Sequence, residues 1–262
     1  MTSTAMLDEI NALDLAFVVD TTGSMSGLIA GAQQQMVTLV EELLGAADVR
    51  LRLGVVEYRD HPPQDSMVFR IHPFTEDLEQ AREAINELTA NGGGDTPEAV
   101  LDGVWAACHE LGWRPHARRI VVLVGDAPPH GVGAPGDGYS RGCPCGETIA
   151  SVTAAAEEQR VTLYAIALRR GLAESFGALS HLTGGEFFET SQHEAALEHL
   201  KDILTDEFGA LDFDRRVLAE WHARPEVTLD ELAERLESSR PAVSAAVSRL
   251  GSRELLRRVA VV

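Results

Sequence analysis

The stretch Leu13-Asp14-Leu15-Ala16-Phe17-Val18-Val19, followed at once by Asp20-Thr21-Thr22-Gly23-Ser24-Met25-Ser26, decides how the chain is read. Its first part is an apolar run of strand length, and residues from Ser26 to Leu44 carry a helical pattern, so Asp20, Thr22 and Ser24 fall on the connection between strand and helix. A carboxylate and two hydroxyls at i, i+2 and i+4 on such a loop converge on one point. They are hard oxygen donors, a set that suits Mg²⁺ or Mn²⁺.

Working outward, strand-like runs alternate with helical ones. The strands are expected at Asp14 to Val19, Val49 to Glu57, Met67 to Phe74, Ile120 to Val124, Thr162 to Leu168 and Glu186 to Glu189. The alternation predicts an α/β fold with a doubly wound, mostly parallel sheet covered on both faces, and Met67 to Phe74 as its antiparallel edge. Functional loops of such a sheet cluster at the carboxyl ends of the strands. Two more polar segments sit where that rule puts them: Gly92-Gly93-Gly94-Asp95-Thr96-Pro97-Glu98, leading into a helical run, and Asp126 at the end of Arg119 to Gly125.

These three segments, in this order, resemble a von Willebrand factor type A domain of bacterial type over roughly residues 10 to 208. The resemblance implies a Rossmann-like fold and a metal-ion-dependent adhesion site, written Asp-x-Ser-x-Ser with a distant Thr and a distant Asp. Residue by residue, Asp20, Thr22 and Ser24 fall on the first motif, Thr96 on the distant Thr and Asp126 on the distant Asp. Thr22 replaces the usual Ser and keeps the hydroxyl. The resemblance further implies that a partner protein's Asp or Glu completes the metal's coordination, and that the last helix of the domain moves when it does.

Two other readings compete. Asp20, Thr96 and Asp126 are also residue types that cap helices, and Thr96 before Pro97 has the pattern of a cap with Pro at the first helical position. As an enzyme, the chain would be a Mg²⁺-dependent phosphatase of the haloacid dehalogenase type with Asp20 as nucleophile. That chemistry uses Asp-x-Asp, and here the second acid is replaced by Thr22. A non-enzymatic protein-binding module is therefore the expected class.

Residues 127–147 form an insert too long and too rich in Gly and Pro for an ordinary connection, placed at the rim of the metal site. On the same edge, Asp60 in Tyr58-Arg59-Asp60-His61 is either a second-shell residue holding a metal-bound water or part of a solvated turn before Pro62-Pro63. Within the insert, Cys143-Pro144-Cys145 and His130 offer zinc-type ligands, though a structural site needs a fourth. Cys108 reads as a buried small hydrophobe.

The chain divides into residues 1–210 and 211–262. From Phe213 the pattern changes to short helices. Thr228-Leu229-Asp230-Glu231 is a capping box, and Val243, Ala246, Val247 and Leu250 repeat at helical spacing in a second helix. With the strand-like ending Leu255 to Val262, this resembles a winged helix-turn-helix, which implies either docking of a second protein or DNA binding through residues 239–258. In the DNA reading Ser239, Arg240, Ser244, Ser248 and Arg249 face the duplex, with Arg253, Arg257 and Arg258 on phosphates.

The chain has 262 residues, 45% of them hydrophobic, enough for a full α/β core and a small appendage. Its formal charge of -19 opposes bulk attraction to nucleic acid or anionic membrane. From Leu211 onward 9 Arg meet 9 acidic residues, so the whole excess belongs to the first part. The absence of a signal-like start or a membrane-length apolar run, with 3 cysteines, predicts a cytoplasmic protein.

Overall fold

The computed structural model describes residues 9–44, 49–94, 96–224 and 226–256. Strands β1 (Ala12–Asp20), β2 (Arg50–Tyr58), β3 (Phe69–Thr75), β4 (Arg118–Gly125), β5 (Val161–Ala167) and β6 (Phe187–Glu189) form one sheet in the order β3-β2-β1-β4-β5-β6. Only β3 runs antiparallel to its neighbour, at the edge the sequence indicates. The strand order reverses between β1 and β4, so the crevice at their carboxyl ends is the topological switch point of the sheet.

The helices are α1 (Ser26–Leu44), α2 (Leu78–Asn86), α3 (Val100–His109), α4 (Ile149–Glu158), α5 (Ser175–Leu182), α6 (His193–Ala223), α7 (Leu229–Arg235) and α8 (Arg240–Ser252). Every residue of β1 is buried. Its side chains alternate: Leu13, Leu15, Phe17 and Val19 enter a layer with residues of α1, α2 and α6, whereas Ala16 and Val18 enter the layer of α3, α4 and α5. Each large apolar side chain buried this way stabilises the fold by about 1.5–3 kcal/mol. Asp14, on the same strand, is fully buried, and Arg52 and Arg114 both fork onto it at 2.7–2.9 Å.

The carboxyl-terminal region departs from the sequence expectation first in its helix boundaries. The helix that enters it does not stop near Phe208 but runs unbroken from His193 to Ala223, through the expected boundary at 211. Gly209 in its interior costs only about 1 kcal/mol, and the next residue type that ends a helix is Pro225. Along α6 the packing changes: Leu211 belongs to the sheet's core, while Phe213, Val217 and Leu218 pack with Leu232, Leu236, Val243, Ala246 and Leu250 of α7 and α8. The capping box at Thr228 and Glu231 forms as read, and Ser239 caps α8 through a hydrogen bond from the Ala242 amide. Residues 257–262, and with them Arg257, Arg258 and most of the expected wing strand, lie outside the described residues.

This helical unit is fastened to the sheet domain. Arg253 is buried and donates to the carbonyls of His116, Glu9 and Ile10, while the His116 ring donates to the Arg253 carbonyl. Burial pulls the Arg253 guanidinium down to about 10, against the charge of Asp214. Ile10, just before β1, packs into the core of the carboxyl-terminal unit.

Candidate metal centre

Asp20 ends β1 and Asp126 directly follows β4, so adjacent parallel strands bring the two carboxylates to the switch point. The loop after Asp20 folds back on it: Oδ1 accepts from the Thr22 amide at 2.8 Å and from the Thr22 hydroxyl at 2.7 Å. Thr22 Oγ1 and Ser24 Oγ lie 3.2 Å apart, and Ser24 donates to Asp126 Oδ1 at 2.9 Å. Four of the five expected ligands are thus one contiguous oxygen cluster.

The fifth is placed by the glycine loop. Gly23 donates to the Gly92 carbonyl and Asn91 to that of Thr21, which lays the loop against the first motif. Gly92 and Gly93 have φ of 71° and 77°, and a Cβ on Gly93 would sit 3.2 Å from that of Thr22. Glycine is required there on both counts. Thr96 follows, half-buried, and among the described residues it makes no hydrogen bond to the other four. The capping readings are overturned. Helix α3 starts at Val100 with Ala99 as its N-cap, and Asp126 leads into the irregular insert.

The cluster has the electrostatics of a cation site. Asp20 Oδ2 is buried without a hydrogen-bond partner. Burial lifts the Asp20 carboxyl from 3.8 to about 7, against the Thr22 hydrogen bonds and with the Asp126 charge adding to the rise. The Tyr58 hydroxyl, also buried without a partner, is driven well above its ordinary value by burial and then by Asp20, Glu98 and Asp126. Acids facing one another in a dry crevice with an unused oxygen fit a hard divalent ion. Glu98 and Tyr58 were not singled out in the sequence, because their approach to Asp20 depends on how β2 and the glycine loop pack.

Asp60 is not in a solvated turn: it is fully buried, and its Oδ1 accepts from His130 Nε2 at 2.7 Å and from the His61 amide at 2.6 Å. His130 also reaches Asp137 through Nδ1 at 2.9 Å. Burial opposes its charge, but the two carboxylates outweigh burial and raise its pKa. With both nitrogens committed, His130 is not the zinc-type ligand expected beside Cys143 and Cys145. Instead, His61 and the buried Asp102 of α3 stand at that cysteine pair. Both were missed in the sequence, where the available signal was an acid inside the apolar helical run Val100-Leu101-Asp102-Gly103-Val104.

In the carboxyl-terminal unit, Ser239, Ser244 and Ser248 are exposed, and Arg240 is exposed beside Asp230. Arg249 is a correction, since its guanidinium grips the buried Asp214 at 2.6 Å. Arg253 is another, being buried against backbone carbonyls. Leaving either partner for a phosphate would strand a buried polar group.

Residues 14–130 match the family model of the von Willebrand factor A domain. An alpha-protein kinase of Dictyostelium discoideum, vwkA, is 32% identical over 137 residues, which are 51% of this chain and 22% of that protein. The human von Willebrand factor A domain-containing protein 7 is 36% identical over 102 residues, 39% of this chain and 11% of its own length. The chain therefore spans less than a quarter of these relatives. Among solved structures, BatB from Bacteroides thetaiotaomicron is 13% identical with a TM-score of 0.52, covering 74% of this chain and 98% of its own. Proximal thread matrix protein 1 from the mussel byssus, with a zinc-occupied metal-ion-dependent adhesion site, is 16% identical with a TM-score of 0.54, covering 76% and 47%. The pilus adhesin SpaC from Lactobacillus rhamnosus GG, in its open conformation, is 11% identical with a TM-score of 0.55, covering 75% and 30%. The structural likeness establishes the fold, and the family match over residues 14–130 makes that part of the chain similar to a von Willebrand factor A domain.

Proposed function

We propose that this protein is a non-enzymatic, metal-dependent binding module whose partner is a protein presenting an Asp or Glu. Asp20, Thr22, Ser24, Thr96 and Asp126 hold Mg²⁺ or Mn²⁺, and the cation supplies the Lewis acidity that takes the partner's carboxylate. The observation that carries this reading is the unpartnered Asp20 Oδ2, facing a second acid with two hydroxyls alongside. Without a cation an acidic partner would meet Asp20 and Asp126 directly.

The surroundings favour an acidic partner as well. A cleft of about 540 Å³ opens beside Thr96, with Val132 of the insert on one side and the exposed Arg169 and Arg170 on the other. Such a rim suits a peptide that carries apolar and acidic residues together. Titration calorimetry is expected to show one Mg²⁺ or Mn²⁺ site that Asp20→Ala removes. Affinity for the metal alone is expected to be weak, because few protein ligands are present and the ion keeps its waters. Equal binding by wild type and Asp20→Ala would refute the assignment, and metal-dependent phosphoester hydrolysis abolished by Asp20→Asn would place the protein in the enzyme class.

The carboxyl-terminal unit is proposed to dock a second protein rather than DNA. Arg249 and Arg253 are engaged internally, and the acidic body repels a duplex. Because α6 is one continuous helix shared by both cores, a shift of α6 on partner binding reaches α7 and α8 directly. Hydrogen exchange is expected to change across residues 193–252 when metal and an acidic partner peptide are both added. Protection that stays constant there would show the two units to be energetically independent. A reducing setting such as the cytosol, which keeps Cys143 and Cys145 as thiols, is part of this proposal.

A further inference from the structure

We infer that the chain carries a second, structural metal site, a tetrahedral Zn²⁺ centre formed by His61, Asp102, Cys143 and Cys145, separate in ligands and chemistry from the Asp20 site. One ligand atom from each of these residues lies within 4.8 Å of all the others. The shorter edges are Cys143 Sγ to Asp102 Oδ2 at 3.0 Å, His61 Nε2 to Asp102 Oδ2 at 3.1 Å and Cys143 Sγ to His61 Nε2 at 3.4 Å. Zinc bonds of about 2.0–2.3 Å in a tetrahedron put ligand atoms roughly 3.3–3.8 Å apart. The cluster therefore needs to open by only a few tenths of an ångström on these edges and draw Cys145 inward.

The backbone brings the two sulfurs to one side of a tight turn. Cys143-Pro144-Cys145-Gly146 is a turn closed by the Gly146 amide on the Cys143 carbonyl at 2.9 Å, with Pro at its second position. It aims the Cys145 amide at the Cys143 sulfur. Gly142 on one side and Gly146 on the other have φ of 123° and 85°, which lets so short a segment reverse direction twice.

Burial supplies an independent argument. Asp102 and His61 are 4% and 3% exposed, and Asp102 sits on a helix whose other buried residues are apolar or glycine. A carboxylate and an imidazole buried beside two thiols are costly to bring together for packing alone. They are, however, a complete donor set for zinc. Four protein ligands leave no open position, which marks a structural rather than a catalytic ion. The sulfur pair selects Zn²⁺ over the Mg²⁺ that suits the all-oxygen site at Asp20.

The site would fasten three segments that share no strand or helix: the loop after β2, helix α3 and the insert. Around it the same segments are already joined by His130 to Asp60 and by the Tyr139 hydroxyl to the Pro62 carbonyl. Holding the insert down fixes one wall of the cleft beside Thr96. Cys108, also on α3, is outside the cluster, and burial alone pushes its thiol up to about 12.

Elemental analysis of the full chain, produced in zinc-replete medium without a metal-affinity step, is expected to find stoichiometric zinc. Cys143→Ser and Cys145→Ser are expected to lose it, whereas Asp20→Ala and His130→Gln keep it. Because a cysteine variant that misfolds would also lose metal, the wild-type chain reconstituted with Co²⁺ gives a second readout. It should show thiolate-to-cobalt charge-transfer absorption and the visible bands of a tetrahedral centre. Wild-type protein without zinc and without those cobalt bands would overturn the inference. So would a Cys143–Cys145 disulfide in protein purified under reducing conditions, or zinc that Asp20→Ala abolishes and Cys143→Ser leaves in place.

Discussion

In metal-free buffer the protein is expected to lose stability as pH rises from about 4 to about 7, and Asp20→Asn is expected to remove most of that loss. The sign follows from linkage. The folded-state pKa of Asp20 is raised, from 3.8 to about 7, so between those values the native state binds more protons than the unfolded chain. Stability is then full below the unfolded value and is lost as pH rises through the folded one. A shift of this size corresponds to on the order of 4 kcal/mol. Asp20→Asn keeps an oxygen for the two Thr22 hydrogen bonds but places an amide where Oδ2 has no partner, at a cost of about 1–3 kcal/mol. Above about pH 8 the variant should still be the more stable apo protein, by roughly 1–3 kcal/mol. Saturating Mg²⁺ reverses the order. At a thousandfold excess over the dissociation constant the wild type gains about 4.1 kcal/mol, and the variant gains nothing. Urea unfolding at a series of pH values, with chelator and with Mg²⁺, measures all of this. Other groups that titrate in the range, His130 among them, cancel in the difference between the two proteins. Parallel pH curves for wild type and Asp20→Asn would remove the electrostatic basis of the metal site.

The second large effect concerns the anchor of α6. Glu207 is 5% exposed and takes both forks of Arg118, at 2.6 and 2.7 Å, together with the Tyr164 hydroxyl at 2.5 Å. Burial pushes its carboxyl up, but the Arg118 hydrogen bonds and charge outweigh burial and hold it below the usual range. Glu207→Ala leaves Arg118 charged and largely buried on the central sheet, a situation that costs about 3–5 kcal/mol. Tyr164→Phe removes one neutral donor and should cost about 1 kcal/mol. Thermal or denaturant unfolding tests both. A loss below about 1 kcal/mol for Glu207→Ala would mean that apolar packing, not this ion pair, seats α6 on the sheet.

The same residues show why some features are legible before folding and others are not. β1 is read from its unbroken apolar run, since a strand buried on both faces needs apolar side chains at every step, and the structure buries all of it. Its loop is read because Asp20, Thr22 and Ser24 are local: their spacing alone brings their oxygens together. The capping box at Thr228 is local in the same sense. Gly209, by contrast, gives no local sign that α6 continues. Packing on both cores carries the helix through it.

The sequence by itself determined the alternation of strands and helices, the hydroxyl-rich loop after β1 and the separate apolar pattern after Phe213, because each is set by periodicity or spacing over a few residues. Only the tertiary structure decided which histidine stands beside Cys143 and Cys145. His61 and His130 are equivalent as letters, but the end of β2 and the insert meet so that Asp60 and Asp137 claim His130, leaving His61 beside Asp102. It likewise decided that Arg249 and Arg253 face inward, because their partners, Asp214 and the backbone of Glu9, Ile10 and His116, lie 35 or more positions away in the chain. Contacts at such separations depend on how whole elements pack, and no local pattern encodes them.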